Sequence, residues 1–343
     1  MKVSLSFLSV IAMAVFLTGC AVSSQDGVME TETRSSGFMG LSTNDAVEVS
    51  SEKAFSGTKQ VVIGSFKVGF NDSKKLQKKA SGGFMSGGFG GKSTGLVKLE
   101  GISPSVMQDI TNQAYVDFVQ DLKSKGFDVV NRSNFTSSEA YDGIKEYDFP
   151  YTDDNSGFLS AYGTATYYSP VAIGSKQPIF FNEIEGVTGG IGFSNPAIGA
   201  SEYSKQTGVN VLNVTYFVDF AGAGGSETMF TSRVSVGQLL SVDKGVLGIA
   251  SSKSSAFSSG TGSLTLGQPI GSKISFATIE QTSSTAAVGL ETTVNIASAL
   301  LGSGTNHSRE FVFNANPSQY KKASLEVLTK ANDTFIDTMV SLR

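Results

Sequence analysis

Tryptophan is absent from this chain, and cysteine and histidine occur once each. A lone cysteine leaves no partner for an internal disulfide, so the fold must rest on packing and hydrogen bonds. One imidazole, His307, with one thiol removes most zinc, iron and copper sites, which gather several such ligands, and no cofactor is expected. Charge is scarce as well: 16% of residues are charged and the net charge is −4. So mild a balance offers no electrostatic reason to expect a nucleic-acid partner. Seven prolines stand against 39 glycines. With abundant Ser and Thr, this points to many turns and strands rather than a helical bundle.

What the chain does have begins at its N-terminus. Lys2 supplies a positive charge, Leu5 to Leu17 form an apolar run too short to span a bilayer, and small residues precede the cysteine. That is the pattern of a cleavable export signal. Leu17-Thr18-Gly19-Cys20 resembles the lipobox of bacterial lipoproteins, in which the cysteine is acylated and becomes the new N-terminus. The resemblance implies lipidation at Cys20 and a bilayer as partner, held by more than one acyl chain. Ala21 stands where an aspartate would favour inner-membrane retention, so the expected address is the outer membrane, lipid-anchored and facing the periplasm. The expected layout is a signal peptide over 1–19, a lipidated cysteine with a flexible Ser-, Thr- and Glu-rich tether over 20–59, and one α+β domain over 60–343.

Within that domain, Val61-Val62-Ile63 followed by Phe66, Val68 and Phe70 predicts a buried strand. Lys74, Lys75, Lys78 and Lys79 then lead into a glycine loop, Gly82 to Gly91, that carries Phe84, Met85 and Phe89. Its end has the look of a phosphate-binding loop, yet Ser86 occupies the place of the first required glycine and Leu96-Val97-Lys98-Leu99 reads as strand rather than helix. The loop is read as a solvated basic turn, or as a membrane or subunit contact in which the apolar residues insert and the lysines meet lipid phosphate. Ser103 and Pro104 open a helix, Val106, Ile110, Ala114, Phe118 and Leu122 form its apolar stripe, and Gly126 closes it. With Phe127-Asp128-Val129-Val130 after it, this makes a βαβ-type α/β core.

Carboxylates gather at Asp142, Glu146, Asp148, Asp153 and Asp154 without the alternation of a calcium loop, and read as a solvated acidic loop. Asn210 to Phe220 is the clearest strand, with Leu212, Val214, Tyr216, Val218 and Phe220 on one face and Asn213, Thr215 and Asp219 on the other. Alternation returns between Arg233 and Ala299, as a transmembrane β-strand or an antiparallel soluble sheet would show. Arg309 to Phe313 predicts a closing strand, His307 falls in a turn, and Asn316-Pro317 opens a C-terminal helix. The fold class is therefore α+β: the βαβ-type core packed with a largely antiparallel β-rich region.

Gly126-Phe127-Asp128-Val129-Val130-Asn131-Arg132-Ser133-Asn134-Phe135, after a strand ending in phenylalanine and a helix closing with glycine, resembles the opening of the curli-export channel family of lipoproteins. Asn131 stands where that family usually has an acidic residue, and activator lipoproteins of peptidoglycan synthases share a similar core. The resemblance implies β-hairpin insertions, by position 167–203 and 233–299, that build one transmembrane barrel from several subunits. It further implies a homo-oligomer, an exported protein cargo and no catalytic residue. The functional expectation is a non-enzymatic outer-membrane lipoprotein acting in export or assembly of surface material. The alternative is a monomeric periplasmic module docking on a cell-envelope partner. No nucleophile motif such as G-x-S-x-G stands on a strand-to-helix turn to suggest a hydrolase.

Overall fold

The computed structural model describes residues 20–36, 42–80, 91–154, 163–180, 183–184, 187, 194–227, 232–253, 261–283 and 306–343. The first strands are β1 (Cys20–Val28), β2 (Ser35–Ser36), β3 (Ser42–Thr43), β4 (Val47–Ser50), β5 (Gln60–Asn71), β6 (Ser73–Lys79), β7 (Lys92–Glu100) and β8 (Asp128–Val130). Next come β9 (Glu146–Asp148), β10 (Tyr151–Asp154), β11 (Thr164–Tyr168), β12 (Lys176–Pro178) and β13 (Asn210–Gly224). The last are β14 (Ser232–Ala250), β15 (Thr261–Leu266), β16 (Ile270–Gly271), β17 (Ala277–Gln281) and β18 (Asn306–Ala315). The helices are α1 (Pro104–Ser124), α2 (Ser133–Thr136), α3 (Pro196–Thr207) and α4 (Pro317–Ser341). The fold is α+β with sheet predominating.

The centre is a mixed sheet in the order β10-β11-β5-β13-β14-β15-β4. β5 lies parallel to both β13 and β8, and α1 connects β5 to β8, with the β6–β7 hairpin inserted between. β14, 19 residues long, pairs with β13 along one edge. Its other edge is shared in turn by β1, β16 and β15. A second sheet, β17-β18-β7-β6, lies against β1 and β14.

Alternation decides which face of the central sheet takes the helices. Phe66 on β5 meets the rings of Tyr115 and Phe118 on α1 at 5.5 and 5.7 Å, and Tyr216 on β13 stacks on Phe335 of α4 at 5.8 Å. α1 ends where the sequence predicts: Gly126 takes φ +84°, its N–H donates to the Lys123 carbonyl and the Phe127 N–H to the Leu122 carbonyl. That pair of bonds caps the last carbonyls, and only glycine takes the required conformation without strain. At the start of α4, Asn316 Oδ1 accepts from the N–H groups of Ser318 and Gln319 at 3.1 and 3.2 Å, replacing bonds that a helix N-terminus lacks.

In the segment expected as a tether, 20–59, the described residues, 20–36 and 42–59, are instead built into the body. β1 pairs with β14 from Cys20 opposite Ser232. Arg34 Nη2 donates to the carbonyl and the carboxylate of Asp243, both at 2.8 Å, β4 pairs with β15, and Ala54 and Phe55 are buried in the main core. Composition misled because an edge strand is held by backbone bonds, which polar side chains do not weaken. Val22 of β1 packs against the main core.

Of the first expected hairpin, 167–203, residues 181–182, 185–186 and 188–193 lie outside the described residues, and the described ones form other elements. Pro196 begins a helix that runs past Tyr203, and β12 pairs with β9 rather than with a returning strand. In the second range, 233–299, β14 and β15 do form an antiparallel hairpin. Val234, Val236, Leu240, Val242, Leu247 and Ile249 of β14 lie in the main core beside the α4 stripe, so this hairpin is interior sheet. His307, expected in a turn, lies in β18 opposite Ser93 of β7.

Candidate functional site

Three arrangements bring chemistry-bearing groups together. The first is on the face of the central sheet away from α1 and α4. Ser65 and Lys67 of β5 stand beside Asn213 and Thr215 of β13 in parallel register. Lys67 Nζ lies 2.9 Å from Glu183 Oε2 and donates to Ser65 Oγ at 2.9 Å. Glu183 also accepts from the Phe180 N–H at 2.6 Å and from Asn213 Nδ2 at 2.9 Å. Gln177, fully buried, accepts from the Phe66 N–H at 2.9 Å and donates to the Gly174 carbonyl at 3.1 Å. Burial pushes the Lys67 ammonium below its usual range, Glu183 pulls it back up, and Arg132 adds a smaller push down. No surface of either charged group reaches solvent, so this network serves to lock Gln177, Phe180 and Glu183 onto the sheet.

The second joins β5, β6 and β13. Asp219 accepts from Asn71 Nδ2 at 3.0 Å and from the Phe220 N–H at 2.9 Å, and pairs with Lys74. Lys74 also donates to the Ala221 carbonyl at 3.1 Å. This lysine, read from the sequence as part of a solvated run, is a structural counter-ion.

The third is at the surface, at two opposite ends of β14. At the end where β14 begins lie Cys20, opposite Ser232, and the start of β7, whose Ser93 Oγ donates to the Ser232 carbonyl at 2.8 Å. Lys79 stands opposite Lys92, and Lys75 opposite Leu96. Facing residues on a ladder share a side, so the exposed Lys75 and Lys79 lie with Lys92 on the outer face of the second sheet. Lys78, half-buried, takes the other face opposite Ser93. Partial burial, then the positive charges of Lys75 and Lys79, push the Lys92 ammonium down. Among the described residues no carboxylate pairs with Lys75, Lys78, Lys79 or Lys92. Phe84, Met85 and Phe89 lie outside the described residues.

At the end where β14 finishes, a half-open cleft of about 320 Å³ is lined by Ser56, Lys59, Gln60, Asn210, Ser252 and Lys253, among others. Lys253 Nζ donates to the Ser56 carbonyl at 2.6 Å, and Asn210 bridges Ser204 and Thr58 at 3.0 and 2.8 Å. No local sequence signal marks this cleft, because its lining comes from three separate segments, 56–60, 208–210 and 251–253.

Among the described residues no group of His, Cys, Asp and Glu is placed to hold a metal ion, and no helix is long and apolar enough to cross a membrane. Compared with protein-family models, curated proteins and solved structures, the chain matches none.

Proposed function

We propose that this protein is a lipid-anchored lipoprotein of the outer membrane, facing the periplasm, that works by binding rather than catalysis in the export or assembly of surface material. The observation that carries the reading is Leu17-Thr18-Gly19-Cys20 behind a short apolar run, since the thiol needs no other partner and the run is too short to be a span. Labelling with radioactive palmitate tests it. Cys20→Ala should abolish label and release the protein from envelope fractions; an unlabelled wild-type chain would end the reading.

Of the two ways such a protein could act, docking on an envelope partner is favoured over lining a pore. Core side chains of β14 pack under α4, whereas a lipid-facing strand must give one face to acyl chains. The distal cleft, with hydroxyl, amide and lysine side chains, would then be the surface offered to the partner. The pore reading keeps one support, the βαβ unit β5-α1-β8 followed by Arg132-Ser133, on which the curli-export resemblance rests. Electron microscopy of the detergent-extracted, acylated protein separates the two: single particles of one chain's mass fit docking, and rings with a central opening fit export.

A further inference from the structure

Two facts about one end of the molecule fit together. First, β1 begins at Cys20 itself, so no free chain separates the acylated residue from the folded body. A flexible tether of about 40 residues would let the body wander roughly 35 Å from its anchor. With Cys20 in the sheet, the body is held within the reach of its own acyl chains.

Second, this is the end that carries positive charge with no carboxylate partner among the described residues. Lys79 and Lys92 face each other on the outer side of the second sheet and Lys75 follows on the same side. Of the carboxylates of that sheet, Glu310, opposite Leu96, stands level with Lys75, while Glu100, opposite Asn314, and Glu280, opposite Val312, stand farther along. Charge is thus graded along the strands, with Lys79 and Lys92 nearest the anchor and Lys75 level with the first carboxylate.

We propose that the edge bearing Lys75, Lys79 and Lys92 is a membrane-docking surface, on which the body rests against the bilayer that holds Cys20 and the ammonium groups meet the phosphates of anionic phospholipids. The inference rests on the lipoprotein reading above and adds the orientation and the lipid class. Anchor and basic edge act as two signals on one surface, the combination that converts weak membrane contact into stable contact. It also directs the far end outward. The cleft beside Ser252 lies at the other end of β14, up to roughly 60 Å away at about 3.3 Å per residue, and would face into the periplasm.

The test uses the acylated full chain, in which the sole natural cysteine is blocked by lipid and a new thiol can be labelled uniquely. A fluorophore is placed at Gln77→Cys, between the lysines, or at Ser252→Cys, beside the cleft. Each protein is reconstituted into vesicles of phosphatidylcholine with phosphatidylglycerol that contain a headgroup-quenching lipid. Strong quenching at 77 and little at 252 is expected. Replacing phosphatidylglycerol by phosphatidylcholine, or raising salt from 0.1 to 1 M, should weaken the quenching at 77, because screening shortens from about 10 to 3 Å.

Lys75→Gln, Lys79→Gln and Lys92→Gln together should lower docking about 100-fold, at about fivefold per lysine, with the thermal melt unchanged. Equal, weak quenching at both positions in a protein that still floats with the vesicles would overturn the docking surface and leave lipidation standing. A protein that neither carries acyl label nor floats would overturn both.

Discussion

Glu183 Oε2 lies 2.9 Å from Lys67 Nζ with both side chains wholly enclosed, so a full charge from a loop is balanced by one from the middle of the central sheet. Removing one partner strands the other in a medium that cannot solvate it, at a cost of about 3–5 kcal/mol. Lys67→Met and Glu183→Gln should each lower stability by that amount. The double variant removes both charges and keeps a side-chain oxygen to accept from Phe180 or Asn213, so it should return to within about 2 kcal/mol of wild type. Urea unfolding of the four proteins checks this, and additive losses in the double variant would show that the pair is not coupled.

Tyr216 donates to Asn332 Oδ1 at 2.8 Å, and Asn332 Nδ2 donates to the Ala114 carbonyl at 3.1 Å. One amide therefore ties β13, α4 and α1 together inside the core. Tyr216→Phe leaves a buried oxygen without its donor and should cost about 1–3 kcal/mol. Asn332→Leu orphans the hydroxyl and removes the second donor to a helix carbonyl, and should cost more. A cycle over the two changes should give a coupling above about 0.5 kcal/mol, as residues in one network do; purely additive losses would contradict the link.

Much of this scaffold was readable in the sequence because its signals are local. The stripe of α1, its closing Gly126, the Asn316-Pro317 start of α4 and the alternation of β5 and β13 each lie within a few residues. α3 carries the same start signal, Asn195-Pro196, with Asn195 Oδ1 accepting from the Ala197 N–H at 3.0 Å and Gly208 closing in the left-handed conformation. The hairpin expected over 167–203 covers the same residues and competes with that signal. The polar face of β13 was legible as polar but not as buried, since its covering groups, Glu183 and Lys74, come from distant segments. β1 was illegible for a different reason: its stability lies in backbone pairing to β14, which leaves almost no trace in side-chain pattern.

Glu326 on α4 offers a pH test. It accepts from Lys330 Nζ at 2.6 Å and from Ser272 Oγ at 2.7 Å, fastening the turn after β16 to the helix. The hydrogen bond from Lys330, then that from Ser272, holds its carboxyl below the usual 4.5. A depressed carboxyl gives stability that is present above the unfolded value and is lost as pH falls through the folded one. Glu326→Gln should therefore cost about 0.5 kcal/mol at pH 7, where the pair is partly screened by solvent. The gap to wild type should close in strongly acidic buffer. A gap unchanged between pH 7 and pH 3 in thermal melts would mean that the carboxylate's charge plays no part.

The pairing of β1 with β14 can be read directly by hydrogen exchange. A tether would exchange within seconds along its whole length, whereas a paired strand opens only when its ladder does. Peptides covering Cys20–Val28 should therefore exchange far more slowly than those covering Thr31–Thr33, outside any strand. Val22 is the point of attack, because a Cβ placed on Gly95 would lie 3.8 Å from Val22 Cγ1 and 2.7 Å from Val236 Cγ2, which marks how closely β1, β7 and β14 meet there. Val22→Asp would set an unpaired carboxylate against that contact and should release β1. Exchange should then rise over Cys20–Val28 while β13, held by both β5 and β14, stays protected. Should the wild-type segment already exchange as fast as free chain, Cys20 would hang on a leash, and the lysine edge would have no reason to lie at the bilayer.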